Sequence, residues 1–123
     1  MNNAINWFEI PAADFGRAKT FYETILGVKI EVSPTSRKER KEGYFPAGGG
    51  GVGGGLVEGE GYEPSQKGAL VYLNAGEDLG KALGRVERAG GKILVPKTSL
   101  GPNGFIAIFI DTEGNKVAFH SMK

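Results

Sequence analysis

The sequence predicts an α+β fold in which two βαβββ modules in one chain form a curved mixed sheet. The sheet encloses a concave cup, and the helices cover its outer face. Three observations predict this fold: an internal repeat, an amphipathic helix in each copy, and strand-like runs around each helix. A length of 123 residues is that of one domain, so we assign a single domain at 1–123, with module 1 at about 4–60 and module 2 at about 67–121.

The repeat has two copies, and each begins at an aspartate. Asp14 opens DFGRAKTFYETILGVKI and Asp78 opens DLGKALGRVERAGGKI. At an offset of 64 the copies are identical at Asp14/Asp78, Gly16/Gly80, Ala18/Ala82, Glu23/Glu87 and Gly27/Gly91. The two copies share few identical residues but the same pattern of residue types. The repeat therefore predicts that the same structural unit occurs twice.

Each copy reads as a helix with one buried face. The leading aspartate is a preferred N-cap, because its carboxylate accepts hydrogen bonds from unpaired backbone N–H groups. Gly27 and Gly90 stand where a left-handed residue commonly ends a helix. The apolar positions follow helical spacing at Ala18, Phe21, Tyr22, Ile25 and Leu26 in the first copy, and at Leu79, Ala82, Leu83, Val86 and Ala89 in the second.

Strand-like runs precede and follow each helix. One run precedes each helix, at 4–10 and at 69–75. Alternation of apolar and polar residues supports several of the remaining runs. These follow the helices at about 28–33, 42–46 and 52–58 in module 1, and at about 92–96, 104–110 and 115–120 in module 2.

Composition narrows the classes of function. The net charge of +1 offers no field that attracts nucleic acid or a membrane surface, so we expect neither as a partner. The chain has no cysteine, which excludes disulfides, thiolate metal sites and cysteine nucleophiles. The first residues lack the apolar stretch of a secretory signal, and the longest apolar run, 105–110, is too short to cross a bilayer. We therefore expect a cytoplasmic protein.

Three segments give the sequence a family resemblance. They are FEIPAADFGRAKTFYETILG (8–27), LGKALGRVERAGGKILVPKT (79–98) and GFIAIFIDTEGNKVAFHS (104–121). In these segments the chain resembles the vicinal oxygen chelate superfamily, the group of glyoxalases, bleomycin-resistance proteins and extradiol dioxygenases. The resemblance implies paired βαβββ modules around a concave site. In the best-known enzymes of the group, side chains of the first and last strands hold a divalent metal.

The positions that carry metal ligands in those enzymes hold residues without suitable donors here. The first-strand position of module 1 falls on Trp7, and its counterpart in module 2 on Leu70 or Val71. The last-strand position falls on Ala118, and the fourth-strand position on 55–57. Divalent metals need nitrogen or oxygen donors that converge on one point, and His120 is the only histidine. The departure from the family pattern predicts no bound metal and no cofactor.

The cup-facing residues follow from strand alternation. If Trp7 faces the cup, Glu9 faces it too, and Ala118 places His120 on the same side. Tyr72 and Asn74 are expected to line the cup of module 2, and Lys97 its mouth. The predicted ligand-binding residues are Trp7, Glu9, Tyr72, Asn74, Lys97, Ala118 and His120.

Glu9 and His120 are the candidate catalytic residues. A carboxyl group beside an indole in an apolar cup suits a general acid or base. The alternative for Glu9 is a structural pairing with a lysine or tyrosine. For His120 the alternative is an exposed residue or the partner of an acid. Trp7 either stacks on a planar or cationic ligand or fills the space that the metal vacates.

The segment from Pro46 to Gly61 is rich in glycine and raises the question of phosphate binding. GGGVGG at 49–54 satisfies G-x-G-x-x-G, but that pattern needs a following helix, and a strand-like LVEGEG follows instead. The sequence predicts a hairpin tip at 48–51 and a strand with glycines at 53–55. Two interpretations stay open for the tip: a loop without function and a flap over the cup.

Three functions are compatible with the sequence. The first is a metal-free protein of the bleomycin-resistance type that binds a small organic molecule, with a homodimer as the expected assembly. The second is a metal-independent lyase or isomerase that uses Glu9 as general acid or base. The third is a glyoxalase-type lyase or dioxygenase with a divalent metal on atypical ligands.

Overall fold

The two copies of the repeat fold into two modules with the same order of elements. The computed structural model describes residues 3–123. Module 1 comprises β1 (Trp7–Pro11), α1 (Phe15–Leu26), β2 (Glu31–Val32), β3 (Arg40–Phe45) and β4 (Gly53–Gly59). Module 2 comprises β5 (Val71–Asn74), α2 (Leu79–Val86), β6 (Lys92–Ser99), a 3₁₀ turn (Gly101–Asn103), β7 (Phe105–Ile110) and β8 (Lys116–Ser121). The predicted α+β fold is confirmed.

Each module contains one four-stranded mixed sheet. The strand orders are β1-β4-β3-β2 and β5-β8-β7-β6. The first strand of each module runs parallel to the last, and the remaining neighbours are antiparallel. Among residues 3–123 no hydrogen-bonded ladder joins the two sheets. The expected curved sheet is therefore interrupted between β1 and β5, and each of these strands has a free edge.

Helix α1 begins and ends as its sequence predicts. The Asp14 carboxylate accepts a hydrogen bond from the Arg17 N–H at 3.0 Å. Gly27 adopts the left-handed conformation, with φ of 65°, and its N–H donates to the Glu23 carbonyl. The buried face also includes Phe15, which the apolar spacing did not single out.

Helix α2 is shorter than its apolar spacing predicts. The Asp78 carboxylate caps it by accepting from the Gly80 N–H at 2.8 Å. The helix ends at Val86, and a turn covers the residues up to Gly90, which has a φ of 107°. The Gly91 N–H donates to the Val86 carbonyl and closes this turn. Ala89 thus belongs to the turn, where it packs against the core.

The two modules share one hydrophobic core beneath the helices. The Phe21 ring of α1 lies 6.0 Å from the Phe109 ring of module 2. The Tyr22 hydroxyl, fully buried, donates to the Asp111 carboxylate at 2.6 Å. Burial raises the pKa of Tyr22, and the neighbouring Asp111 charge raises it further. Buried residues of both modules therefore form one cluster.

The turn between β7 and β8 holds module 2 against the start of α1. Glu113 accepts hydrogen bonds from the backbone N–H groups of Ala13 and Asp14 at 3.0 and 2.8 Å. The Asn115 side chain donates to the Pro11 carbonyl at 2.7 Å. The segment DTEGN, which the sequence marks only as a turn, thus contributes contacts between the modules.

Several strands differ in length from the prediction: β1 (Trp7–Pro11) and β5 (Val71–Asn74) are shorter than the runs at 4–10 and 69–75. Strand β2 covers only Glu31–Val32, whereas the alternating pattern at 28–33 predicted a longer run. Strand β6 extends to Ser99, so that Lys97 lies within the strand. No helix within residues 3–123 is both long and apolar enough to cross a bilayer.

Candidate functional site

Strand β1 presents two faces of different chemistry. Ile10 is buried in the core, and Phe8 packs beside it. Trp7 and Glu9 point to the opposite face, which is the cup side of the sheet. The Trp7 side chain is 44% exposed there, so a large aromatic surface faces solvent.

Glycines in β4 make room for the two aromatic side chains of β1. A Cβ on Gly53 would lie 2.9 Å from the Trp7 ring, and one on Gly55 3.6 Å from it. On the core side, a Cβ on Gly54 would overlap the Phe8 ring. Any larger residue at 53 or 54 would displace a ring, which explains why this strand begins with glycines.

The glycines of the preceding loop have no such neighbours. A Cβ on Gly48, Gly49 or Gly50 would meet no atom within 4 Å. Only Gly50 of these three has a positive φ, at 76°. The glycine-rich segment therefore has two parts: an open hairpin tip, and strand β4, whose glycines lie against the aromatic rings of β1.

Glu9 belongs to a polar cluster on the cup side of the module 1 sheet. It accepts hydrogen bonds from Trp7 Nε1 at 3.3 Å and from the Tyr62 hydroxyl at 3.2 Å. Arg40 Nη2 lies 3.8 Å from the same carboxylate and donates to Tyr62 at 3.0 Å. Arg40 also binds Glu42 at 2.6 Å. Glu9 is therefore a paired carboxylate rather than an isolated acid in an apolar cup.

The cup side of module 2 carries two rows of side chains across its strands. Strand register aligns Tyr72 with Ala118 and Ile108 in one row. The second row aligns Asn74, His120 and Ile106. Tyr72 therefore stands beside Ala118, as Glu9 stands beside Gly55 in module 1.

His120 is oriented by a backbone carbonyl. Its Nε2 lies 2.7 Å from the carbonyl oxygen of Asn103. A carbonyl only accepts, so Nε2 carries the proton in this hydrogen bond. In the neutral ring Nδ1 is then the nitrogen that can accept.

Lys97 lies away from the other predicted residues. Its ammonium group donates to the Asp78 carboxylate at 2.9 Å and lies 4.7 Å from the centre of the Phe105 ring. Phe105 packs against the shared core. The Lys97 hydrogen bond lowers the pKa of Asp78, and the Gly80 N–H contributes to the same shift. The side chain therefore supports the start of α2.

A cleft separates the free edges of β1 and β5. It has a volume of about 1210 Å³ and brings together Trp7, Glu9, Tyr72 and Asn74. A second cavity of about 660 Å³ lies beside it and contains His120. Tyr72 and Asn74 line both spaces, so the two are neighbours, and the larger one also reaches Leu26 of α1 and Ala82 of α2.

The donor set does not fit a divalent metal. The positions that hold the metal in the best-known relatives carry an indole at Trp7 and a methyl group at Ala118, and in β4 they fall on Gly55, Leu56 and Val57. Within residues 3–123 no three histidine, cysteine, aspartate or glutamate side chains come together as a metal site. We therefore derive no chemistry through a metal.

Sequence reasoning missed the residues that complete the site. Arg40 and Tyr62 bind Glu9 from a distant strand and a loop, and no local pattern marks them. Ile106 and Ile108 share the face of His120 and Ala118. The two-residue period of a strand, applied to FIAIFI, would have placed them there.

Comparison with known proteins identifies the family. A model of the Glyoxalase/Bleomycin resistance protein/Dioxygenase superfamily matches residues 4–119. The chain belongs to this superfamily, which confirms the resemblance read from its sequence.

Individual relatives cover nearly the whole chain. A glyoxylase-like domain-containing protein from Didymella fabae is 33% identical over 124 residues, 94% of this chain and 91% of the relative. A glyoxalase/bleomycin resistance protein from Albidiferax ferrireducens has a TM-score of 0.73 at 16% identity, covering 98% of this chain and 100% of that one. The fosfomycin resistance protein FosX from Listeria monocytogenes has a TM-score of 0.68 at 14% identity, covering 100% and 94%. These two structures show the fold.

Proposed function

We propose that this protein binds a small organic molecule without a metal, in the manner of a bleomycin-resistance protein. The observation that carries the proposal is a pair of exposed aromatic side chains at the edges of an open cleft, one of which occupies a metal-ligand position of the family. Trp7 stands on one edge and Tyr72 on the other. Ligand sites are concave and mostly apolar with a few polar groups, and this cleft has that character.

The cleft offers contacts suited to a flat, partly apolar ligand. Trp7 and Tyr72 are 44% and 51% exposed, so both rings are available for stacking. Glu9 and Asn74 add a carboxylate and an amide beside the rings. An apolar lining is supplied by Leu26, Val28, Phe45 and Ala82.

Binding is testable through the single tryptophan. Planar aromatic compounds, charged and neutral, are screened by thermal shift and by fluorescence of Trp7, the only indole in the chain. Trp7→Ala should remove the thermal shift of any compound that binds. Leu94→Ala is the matched control, because Leu94 is similarly exposed on β6 but does not line the cleft. Equal binding by both variants would contradict the site.

Metal analysis tests the other half of the proposal. Elemental analysis of the purified protein should give no stoichiometric metal. Zn²⁺, Ni²⁺, Mn²⁺ and Fe²⁺ should not raise the melting temperature beyond buffer effects. A stoichiometric metal, or a clear rise in melting temperature, would instead support the third candidate, a glyoxalase-type lyase or dioxygenase with atypical ligands.

A metal-independent lyase or isomerase is the second candidate, favoured by one contact. The Tyr62 hydroxyl donates to Glu9, so a carboxylate and a phenol lie within proton-transfer distance at the cleft. Once a substrate is found, Glu9→Gln should abolish turnover while leaving binding measurable. Unchanged turnover would exclude Glu9 as the general acid or base.

A homodimer is the assembly we propose. Leu100 and Met122 are exposed beside Tyr72 at the second cavity. Contiguous exposed apolar side chains mark interaction surfaces. Light scattering coupled to size exclusion should give twice the mass of the 13.0 kDa chain. A monomer at high concentration would contradict this proposal.

A further inference from the structure

The indole of Trp7 and the carboxylate of Glu9 lie side by side on one wall of the cleft. Both side chains are on the cup-facing side of β1, and both line the cleft. The indole Nε1 donates to Glu9 at 3.3 Å, which holds the negative charge at the edge of the exposed ring. An aromatic face beside a carboxylate attracts organic cations, because the ring quadrupole and the negative charge both favour a positive group.

The Glu9 carboxylate has capacity for a further hydrogen-bond partner. From residues 3–123 it accepts two hydrogen bonds, one from Trp7 Nε1 and one from the Tyr62 hydroxyl at 3.2 Å. A carboxylate has about four lone-pair sites, so roughly half of its capacity is used. The side chain is 31% exposed, and part of it is therefore within reach of a molecule in the cleft.

Arg40 compensates the charge of Glu9 only in part. Its Nη1 binds the Glu42 carboxylate at 2.6 Å, which is the length of a charge-assisted hydrogen bond. Its Nη2 donates to the Tyr62 hydroxyl at 3.0 Å and lies 3.8 Å from Glu9, beyond hydrogen-bond length. One guanidinium is therefore shared by two carboxylates, and the closer contact is with Glu42.

The cup-facing surface of the module 1 sheet is acidic as a whole. Residues paired across neighbouring strands share a face of the sheet, and side chains along one strand alternate between faces. Register therefore places one row on this face: Glu9, Gly55, Tyr44 and Glu31. The charged side chains of these strands that share the face are three carboxylates and one guanidinium, a formal charge of −2: Glu9, Glu31, Glu42 and Arg40.

The cations around the cleft belong to other elements. The strands of module 2 contain no aspartate or glutamate, and their corresponding face carries Lys92 and Lys116. The cleft itself includes Lys81 and Arg85, which both lie on α2. Arg85 donates to the Ile25 carbonyl at the end of α1. The acidic side of the cleft is therefore the β1 side, where the indole lies.

We propose that the ligand of this cleft is an organic cation: a planar, largely apolar skeleton that lies against Trp7 and carries a protonated amine beside Glu9. The indole supplies stacking and cation–π attraction, and the carboxylate accepts hydrogen bonds from the amine. Glu9 then determines which charge the ligand carries. This inference rests on the proposed function and names the ligand class.

Three probes with one skeleton and different charges test this preference. They are naphthylmethylamine, which is a cation at neutral pH, the neutral naphthylmethanol, and the anion naphthoate. Calorimetric titration of the unmodified protein should give the amine a dissociation constant about tenfold below that of the alcohol. Naphthoate should bind more weakly than the alcohol. Equal affinities for amine and alcohol would overturn the proposal, and so would tightest binding of naphthoate, which would indicate Lys81 and Arg85 as its partners.

Glu9→Gln removes the charge and keeps the shape of the side chain. The amine should lose about tenfold in affinity relative to the alcohol. Glu60→Gln is the matched control, because it removes one charge from an exposed turn outside the cleft, and it should keep the preference of the parent. An equal loss of amine affinity in both variants would mean that the preference comes from the net charge of the protein, which would overturn the role of Glu9.

Salt dependence gives a second measurement, which needs no variant. Raising the NaCl concentration from about 0.05 M to about 0.5 M should weaken amine binding several-fold and leave the alcohol unchanged, since salt screens an ion pair at a partly exposed carboxylate. The same salt dependence for both probes would overturn the proposal. Amine affinity that falls as the protein concentration rises would show that a second copy covers Glu9, and it would overturn the proposal as well.

The failures of the two proposals are distinguishable. Binding of naphthylmethanol that is lost in Trp7→Ala, without any preference for the amine, would overturn the cationic ligand and leave the small-molecule site standing. Absence of binding by all three probes and by every compound of the aromatic screen would overturn both proposals.

Discussion

The indole of Trp7 lies over Gly53, so closely that a Cβ there would come within 2.9 Å of the ring. The exposed aromatic surface of the cleft thus depends on the absence of a side chain in the neighbouring strand. On the other face of the sheet, Phe8 is seated over Gly54 in the same way. The glycines of β4 therefore leave room for two aromatic rings: Phe8, which packs against the core, and Trp7, which faces the cleft.

Gly54→Ala should destabilise the fold. The added methyl group overlaps the Phe8 ring, which is partly buried and packs against the core. We expect a loss of about 1–3 kcal/mol in the free energy of unfolding, the usual cost of overpacking. Gly49→Ala is the control, since its Cβ would meet nothing, and it should stay within about 0.5 kcal/mol. Urea unfolding measures both, and equal stabilities would show that Phe8 adapts.

Tyr22→Phe should weaken the contact between modules. It removes the 2.6 Å hydrogen bond to Asp111 in the fully buried core. The expected loss is about 1–3 kcal/mol, because a buried acceptor loses a donor. Tyr44→Phe removes a comparable bond to Ser33 at a partly exposed site, and its effect should be smaller. A Tyr22→Phe variant as stable as the parent would mean that the hydrogen bond from the Asn115 side chain is enough for the buried Asp111 carboxylate.

Asn115→Ala should be among the more damaging changes in the turn between β7 and β8. The buried amide donates to the Pro11 carbonyl and to Asp111, and it accepts from the Ser65 N–H. Loss of several buried hydrogen bonds should cost about 2–4 kcal/mol. Thr112→Ala in the same turn loses one bond and is the control. Thermal unfolding compares them, and equal melting temperatures would contradict the role of Asn115.

Acid should destabilise the protein partly through Glu113. Burial raises the pKa of this carboxyl group, but hydrogen bonds from Arg17, the Asp14 N–H and Thr112 lower it and outweigh burial. The folded pKa therefore lies below the ordinary value of 4.5. The contribution to stability is complete above that value and is lost as the pH falls through the folded pKa.

Glu113→Gln should flatten this pH dependence. The amide carries no charge to titrate, so the difference in urea midpoint between variant and parent should shrink as the pH falls below 4.5. Glu60→Gln, at an exposed turn, is the matched control and should follow the parent. A difference that stays constant down to low pH would show that Glu113 does not contribute through its charge.

Local patterns of the sequence determined much of the architecture. The aspartate caps, the left-handed Gly27 and the apolar spacing of both helices concern residues that interact within one or two turns. The presence of both helices could therefore be predicted from the sequence without knowledge of the tertiary structure. The alternation in β1 likewise separated Trp7 and Glu9 from the core residues Phe8 and Ile10.

The candidate site depends on contacts that no local pattern encodes. Arg40 and Tyr62 reach Glu9 from elements 31 and 53 residues away in the chain, and their pairing makes that carboxylate part of a polar cluster. Lys97 follows the alternation of a strand, yet its charge is drawn to Asp78 at the start of α2.

The sequence by itself determined two βαβββ modules, the start of each helix and the absence of metal ligands at the expected positions, because each follows from residue type and short-range periodicity. Only the tertiary structure decided that the Asp111–Asn115 turn binds module 1. It also decided that aromatic rings of β1 lie over the glycines of β4, and that β1 and β5 face each other across a cleft. Those features are set by the packing of one module against the other, and the spacing between two free strand edges has no signature in either strand alone.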